Sequence, residues 1–188
     1  MKPCVVKDMS WSSTAFEMIV WPTISERCGG GEIERVEGLD KARLDIYAGI
    51  DAWQYVSKDG AMRGIASRVQ YDTGKYGYPY NTFTIRWSRP NSKTEYEKRR
   101  DAIFGKMGYV WPYFTVQAYL DNEKTGLVSC GVIKTKDLYS FVDLYGTDGF
   151  KTVENKDGSS SFKIVPWDML NEYSVDVFVF SNGTEVIA

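Results

Sequence analysis

The residues best suited to chemistry lie on a predicted β-hairpin between Leu44 and Gln70. From Leu44 to Ala52 the even-numbered positions are apolar, whereas Asp45 and Asp51 occupy odd-numbered positions. Because successive side chains of a β-strand point to opposite faces, this alternation predicts that both acids share one polar face. Carboxylates on such a face are typical ligands of Mg²⁺, which in many enzymes activates water for hydrolysis.

The second half of the hairpin follows a predicted turn at residues 58–60 and carries a cationic group. Ala66, Arg68 and Gln70 share the polar parity there, while Ile65 and Val69 share the apolar one. Arg68 stays protonated at any accessible pH, so it can stabilise phosphate charge but cannot act as a base. The alternation therefore predicts an acid and a guanidinium group on neighbouring strands.

This hairpin resembles the core of the PD-(D/E)XK nucleases, with Asp51 at the first acidic position and Ala66-Ser67-Arg68 at the (D/E)XK triplet. The family has a second carboxylate where this chain has Ala66, and a lysine where it has Arg68. The resemblance therefore implies a nuclease-like fold that binds nucleic acid without cutting it. One alternative is an active endonuclease in which Asp51 binds Mg²⁺, Arg68 stabilises charge, and Asp45 or Glu17 replaces the lost ligand. The other alternative is an ordinary half-buried hairpin whose acids are solvated.

The absence of histidine excludes several other kinds of catalytic site. Serine and cysteine triads of the usual kind need an imidazole base, and three scattered cysteines cannot form a Cys₄ zinc site. Neither GxxxxGK[ST] nor GxGxxG occurs, and the run of three glycines at residues 29–31 is followed by glutamates. Carboxylate–metal chemistry, or no chemistry, remains.

The composition predicts a single globular domain in the cytoplasm. The chain has 188 residues, of which 43% are hydrophobic and 15% aromatic, enough for a sizeable core. The cysteines, Cys4, Cys28 and Cys130, are odd in number and widely spaced, which favours reduced thiols. Neither a signal peptide nor a membrane span is expected. With a formal net charge of −2, binding to nucleic acid would need a local basic patch.

The remaining pattern predicts an α/β chain of the α+β kind, with a mixed central sheet flanked by helices. Capping boxes at Thr14–Glu17 and Thr94–Glu97 predict two helix starts, and Pro22 is expected to interrupt or end the first helix. With the hairpin, a strand over residues 81–88 and another over residues 113–120, the order is α-β-β-β-α-β. That order is close to the one of the nuclease fold.

The nuclease-like core is expected to cover about residues 10–120 of a single domain formed by residues 1–188. Residues 121–188 would then form a C-terminal extension. This extension is predicted to contain a strand that returns through Val132, a helix over residues 136–144, a hairpin over residues 153–165 and a strand over residues 175–180.

Polar residues on the predicted strands would form one surface if the strands are neighbours, and such a surface suits phosphate and groove contacts. The alternatives are a solvated sheet face and a face covered by a helix whose acids pair with the arginines. The residues on this polar parity are Asp51, Arg68, Gln70, Thr84, Arg86 and Gln117.

The charge distribution adds a basic helix and an acidic C-terminal part. Residues 86–106 hold seven basic and three acidic residues, whereas residues 137–188 hold nine acids and three lysines. A basic run on a helix is expected to contact phosphates without reading bases, or to be a solvated face. The tyrosine-rich loop over residues 71–80 is a further candidate contact surface. The predicted contacts with double-stranded DNA are Arg68, Gln70, Arg86, Arg89, Lys98, Arg99 and Arg100.

In size and overall character the chain is similar to phage anti-CRISPR proteins, inhibitors of type II RNA-guided nucleases with a PD-(D/E)XK-like core. No single motif carries this resemblance. It implies a CRISPR effector protein–RNA complex as a partner beside DNA, with no cofactor and no membrane. The acidic part would dock in the basic nucleic-acid channel of such an effector. A structural protein without a role in nucleic acid binding is the third hypothesis.

Overall fold

The fold is of the α+β class, with a mixed sheet flanked by helices, as the sequence predicts. The computed structural model describes residues 11–36, 48–56, 60–71, 80–88, 93–105, 110–123, 125–155 and 157–186. The strands in these ranges form a seven-stranded mixed sheet and a three-stranded antiparallel sheet. Among the helices of these ranges, none is long and apolar enough to cross a membrane.

Helix α1 spans residues 11–24 and contains a π-helical turn, Phe16–Val20, directly before Trp21–Ile24. Across this turn the backbone N–H of Trp21 donates to the carbonyl of Phe16, five residues back. Pro22 has no N–H to donate, and the wider turn lets the helix continue past it. The predicted capping box at Thr14–Glu17 is wrong, because residues 11–15 are already helical.

Three antiparallel strands follow α1 in the large sheet: β1 (Glu32–Arg35), β2 (Ala52–Val56) and β3 (Ala61–Tyr71). Val56 pairs with Ala61, so β2 and β3 form the predicted hairpin. The described part of its first strand begins at Ala52, whereas the alternation predicted a start at Leu44. Residues 37–47, including Asp45, lie outside the described residues, as does most of the tyrosine-rich loop.

The next strand leaves the large sheet. Strand β4 (Thr82–Ser88) pairs in the small sheet, and helix α2 (Glu95–Phe104) then crosses to β5 (Phe114–Leu120), which runs parallel to β3. The capping box of Thr94 and Glu97 is confirmed. The three large-sheet strands before α2 are therefore β1, β2 and β3, whereas the sequence predicted the hairpin and the strand over residues 81–88.

The C-terminal half completes both sheets. Strand β6 pairs with β5, β9 pairs with β6, and β8 pairs with β4, so residues 121–186 share sheets with the N-terminal half. The elements are β6 (Leu127–Lys134), α3 (Thr135–Tyr145), a helical turn (Thr147–Gly149), β7 (Lys151–Glu154), β8 (Ser161–Pro166), α4 (Trp167–Glu172), β9 (Val177–Ser181) and β10 (Thr184–Val186).

The two larger hydrophobic cores of the described residues lie on opposite faces of the large sheet. Helix α1 covers one face, where Phe16 and Ile24 pack with Ile65 in the first core. The small sheet and the helices α2, α3 and α4 contribute the second core, in which the Trp167 indole lies against Gly131 of β6. A side chain at Gly131 would collide with that ring. The polar residues of β3 and β5 lie on the face of the large sheet that carries the second core. The elements that cover this face therefore determine the role of these residues.

Candidate functional site

Asp51 directly precedes β2 and lies beside β3, next to the pair Ala52 and Ile65. The backbone N–H of Asp51 donates to the carbonyl of Ile65 at 2.8 Å, and the Asp51 carboxylate accepts a hydrogen bond from the Ser67 N–H at 2.7 Å. The acid is thus fixed against the backbone of the neighbouring strand at Ser67. This contact follows from the pairing of β2 with β3, because Asp51 directly precedes β2.

The Arg68 side chain connects β3 to strand β4 of the small sheet. Its Nη1 donates to the Thr84 hydroxyl at 2.7 Å, and that hydroxyl donates to Gln117 Oε1 at 3.0 Å. The Gln117 amide donates in turn to Gln70 at 3.1 Å. Four residues predicted to share a polar surface are therefore joined in one hydrogen-bond chain. Gln117 is buried, Arg68 and Thr84 are half-buried and Gln70 is exposed, so β4 and α2 cover only part of this surface.

Glu95 of α2 lies above Arg68 and was not among the predicted site residues. Its carboxylate pairs with Arg99 Nη1 at 3.0 Å and with Arg68 Nη2 at 3.3 Å. Burial alone would raise the pKa of Glu95, but Arg99, Arg68 and Arg86 together hold it below its ordinary value. The available sequence signal was the spacing of Glu95 and Arg99, which places both on one side of a helix.

Arg99 points into the protein although it lies in a basic run of the sequence. Only 8% of the residue is exposed, and its Nη2 donates to the carbonyl of Gly49 at 3.2 Å. Burial is the largest single effect and disfavours its charge, but Glu95, Tyr139 and Asp51 together outweigh burial and raise the guanidinium pKa. Tyr139 lies beside it, and burial raises the pKa of that phenol. The expected contact of Arg99 with phosphate conflicts with this interior position.

Arg86 completes the set. Its backbone N–H donates to Glu95, and its guanidinium lies 5.5 Å from the centre of the Phe162 ring. The Arg68 guanidinium lies 5.2 Å from the same ring, so two cations flank one aromatic side chain. We call this set the arginine–glutamate cluster; it consists of Asp51, Arg68, Arg86, Glu95 and Arg99.

The cluster contains three guanidinium groups and two carboxylates, and this excess of positive charge disfavours a metal cation. Each of its carboxylates already accepts hydrogen bonds from protein donors. Within the described ranges no group of three or more acids, cysteines or histidines could hold a metal ion. Glu17, one proposed replacement ligand, pairs with Arg35 and belongs to α1 on the opposite face of the sheet. The other, Asp45, lies outside the described residues.

The remaining basic residues of α2 face outward. The Arg100 side chain is 50% exposed, and its Nε donates to both carboxylate oxygens of Asp143 at 3.0 Å. Lys93, whose side chain is 66% exposed, pairs with Asp101 at 2.7 Å. Lys98 lies between these two residues in the sequence, and its side chain is half-buried. Arg89 lies outside the described residues. Lys93 lies just before α2, and Lys98 and Arg100 flank the inward-facing Arg99 about 100° to either side of it; we call these three residues together the basic side of α2.

Comparisons of this chain with protein-family models, with curated proteins and with solved structures gave no match. What the protein does must therefore be inferred from its own residues. The arginine–glutamate cluster and the basic side of α2 are the two groups that bear on it.

Proposed function

We propose that this protein binds duplex DNA without cutting it and is built on a nuclease-like core. The observation that carries the proposal is the state of the Glu95 carboxylate. Helix α2 brings this carboxylate to Arg68 and Arg99, and it is paired with both guanidinium groups. The order of α1, β1, β2, β3, α2 and β5, with β5 parallel to β3, supports the nuclease-like part of the proposal.

Electrostatics favour a phosphate over a divalent cation at this site. Three guanidinium groups surround two carboxylates in the arginine–glutamate cluster, so a metal ion would meet a net positive charge. Mg²⁺ binding would also require Glu95 to give up its guanidinium partners. Separating a buried carboxylate from its partner costs about 3–5 kcal/mol, which Mg²⁺ in a two-acid site does not recover easily.

The surface proposed to meet DNA is the basic side of α2. Its ion pairs with Asp101 and Asp143 are exposed, and such pairs contribute about 0–1 kcal/mol to stability. Arg100 can therefore exchange Asp143 for a DNA phosphate at little cost. Contacts of this kind release counterions and carry no base information, so binding should be nonspecific and should weaken steeply with salt.

A gel shift with duplex DNA tests the proposal directly, run with and without Mg²⁺ or Mn²⁺ and scored for binding and for cleavage. We expect retarded but uncut DNA with either metal. Asp51→Ala should leave binding unchanged or slightly tighter, since one negative charge is removed. Metal-dependent cutting that Asp51→Ala abolishes would establish the endonuclease alternative, with Asp45 as the first candidate for the second ligand. Absence of binding at low salt would contradict the proposal.

Inhibition of a type II RNA-guided nuclease is the biological role that we propose for this DNA-binding chain, on the resemblance to anti-CRISPR proteins. The contrast between the basic run at residues 86–106 and the acidic residues 137–188 supports it, since such effectors hold nucleic acid in basic channels. Adding the purified protein to a plasmid cleavage reaction of such a nuclease should slow cutting. Full cleavage at a large molar excess of the protein would contradict this role.

A further inference from the structure

An exposed pair of tyrosines lies at the ends of α3 and α4, far along the chain from the basic side of α2. Tyr145 is 37% exposed and Tyr173 is 55% exposed. Their rings meet edge to face, with centroids 5.4 Å apart and an interplanar angle of 84°. Leu144 beside them is 87% exposed. We call these three residues the tyrosine patch. An exposed apolar group of this kind is typical of a contact surface.

The tyrosine patch rests on a rigid aromatic base. Phe141 and Phe150 are each 4% exposed. The centre of the Phe141 ring lies 5.6 Å from that of Tyr145 and 5.5 Å from that of Tyr173. The Tyr145 ring also lies against Gly149, where a side chain would collide with it. The two exposed rings are therefore held in place before any partner arrives, which lowers the entropic cost of binding.

The surroundings of the tyrosine patch are acidic. The segments that carry it, residues 137–150 and 164–176, contain six acids and neither lysine nor arginine; Lys136, Lys151 and Lys163 directly adjoin these segments, and Asp143 pairs with Arg100. Asp148 lies in the helical turn after Tyr145, and Glu172 directly precedes Tyr173; both are exposed. The acids of these segments are Asp137, Asp143, Asp148, Asp168, Glu172 and Asp176.

The end of α3 adds a further preference for positive charge. Tyr145 is the last residue of this 11-residue helix, and its last turn contains no basic residue. The carbonyl end of a helix carries a partial negative charge that favours a cation. Aromatic faces, carboxylates and a helix carboxyl end thus meet at one place, and each of them favours the same kind of ligand.

We propose that the tyrosine patch binds arginine side chains of a basic protein segment. A planar guanidinium stacks on tyrosine faces and pairs with carboxylates, whereas the compact lysine ammonium is more strongly hydrated. Nucleic acid is the wrong partner for this surface, because the acids around it repel phosphates. Asp143 pairs with Arg100, but the tyrosine patch itself consists of residues other than those of the basic side of α2, and the inference does not depend on DNA binding.

The test measures binding of fluorescein-labelled nona-arginine and nona-lysine to the full chain by fluorescence anisotropy at low and moderate salt. Nona-arginine should bind more tightly than nona-lysine. The double variant Tyr145→Ala and Tyr173→Ala should weaken nona-arginine binding about tenfold, as expected for two lost cation–π contacts. Asp148→Asn with Glu172→Gln should weaken it as well and should flatten its salt dependence.

Tyr55→Ala is the matched control. Tyr55 is 42% exposed and donates to Glu34 at 2.9 Å, so it is also an exposed tyrosine beside an acid, but on β2. It should bind nona-arginine like the unchanged protein. Tyr173→Ala alone, at the more exposed ring, provides a second variant in case the double variant melts at a lower temperature. Equal binding by all these proteins, or equal affinity for the two peptides, would overturn the proposal. Weaker binding of duplex DNA to the tyrosine variants would assign the patch to nucleic acid instead.

Discussion

Arg99 and Arg100 are neighbours in the sequence, and each has an ion-pair partner at 3.0 Å, yet they lie in different environments. The Arg99 side chain is 10% exposed and faces Glu95 in the arginine–glutamate cluster. The Arg100 side chain is 50% exposed and faces Asp143 in solvent. A buried charge that loses its partner is costly, whereas an exposed pair contributes little. Exposure therefore matters more than the length of the contact.

The largest difference should appear in stability. Arg99→Ala leaves Glu95 with one guanidinium partner fewer inside the protein, so we expect a loss of about 3–5 kcal/mol in the free energy of unfolding. Arg100→Ala should lose about 0–1 kcal/mol. Urea denaturation of both variants measures these values. Equal losses in the two variants would show that the environments are not distinct.

Lowering the pH should also affect the stability contributed by the buried and by the exposed ion pairs unequally. The pKa of Glu95 is lowered in the folded protein from its ordinary value of 4.5. A carboxyl with a lowered folded pKa stabilises the protein above its unfolded pKa, and this stability is lost as the pH falls through the folded value. Glu95→Gln should therefore flatten the decline of stability below about pH 4.5, which urea denaturation at several pH values measures. Asp101→Asn is the control: it also removes one carboxylate from α2, but from an exposed ion pair, which contributes only about 0–1 kcal/mol.

Variants on the basic side of α2 should change stability least, but they should clearly weaken the binding of DNA. Replacing both Lys98 and Arg100 with alanine removes two positive charges from the basic side of α2 without opening the cluster. Affinity for duplex DNA should fall, and the slope of log K against log salt should decrease by about 1 for each phosphate contact removed. Gel shifts over a salt series measure this slope. An unchanged slope would place the DNA surface elsewhere on the protein.

The sequence predicted local features well. Alternation placed β3, β4 and β5 within one or two residues, and parity alone predicted that Arg68, Thr84 and Gln117 share a surface. The Thr94 capping box fixed the start of α2. These signals depend on side chains a few positions apart, so a single sequence contains them.

Features that depend on distant partners were missed. No local pattern indicates that β4 leaves the large sheet, because its partner β8 lies far along the chain. Treating the run from Lys98 to Arg100 as one surface ignored the helical rotation of about 100° per residue, which turns Arg99 inward. Glu95 was not among the predicted site residues because its role depends on contact with Arg68, which lies on β3 and not on α2.

The pairing of β4 with β8 also has a consequence for the order in which the chain folds. Strand β4 precedes α2 in the sequence, but its partner strand becomes available only when residues 161–166 have been synthesised. Until then Phe83 and Ile85, which are buried in the finished protein, have no sheet to join. A nascent chain that ends near residue 120 would expose them together with the unpaired edge of β5. The ribosome must therefore release most of the chain before either layer can close, and a fragment of residues 1–120 should aggregate.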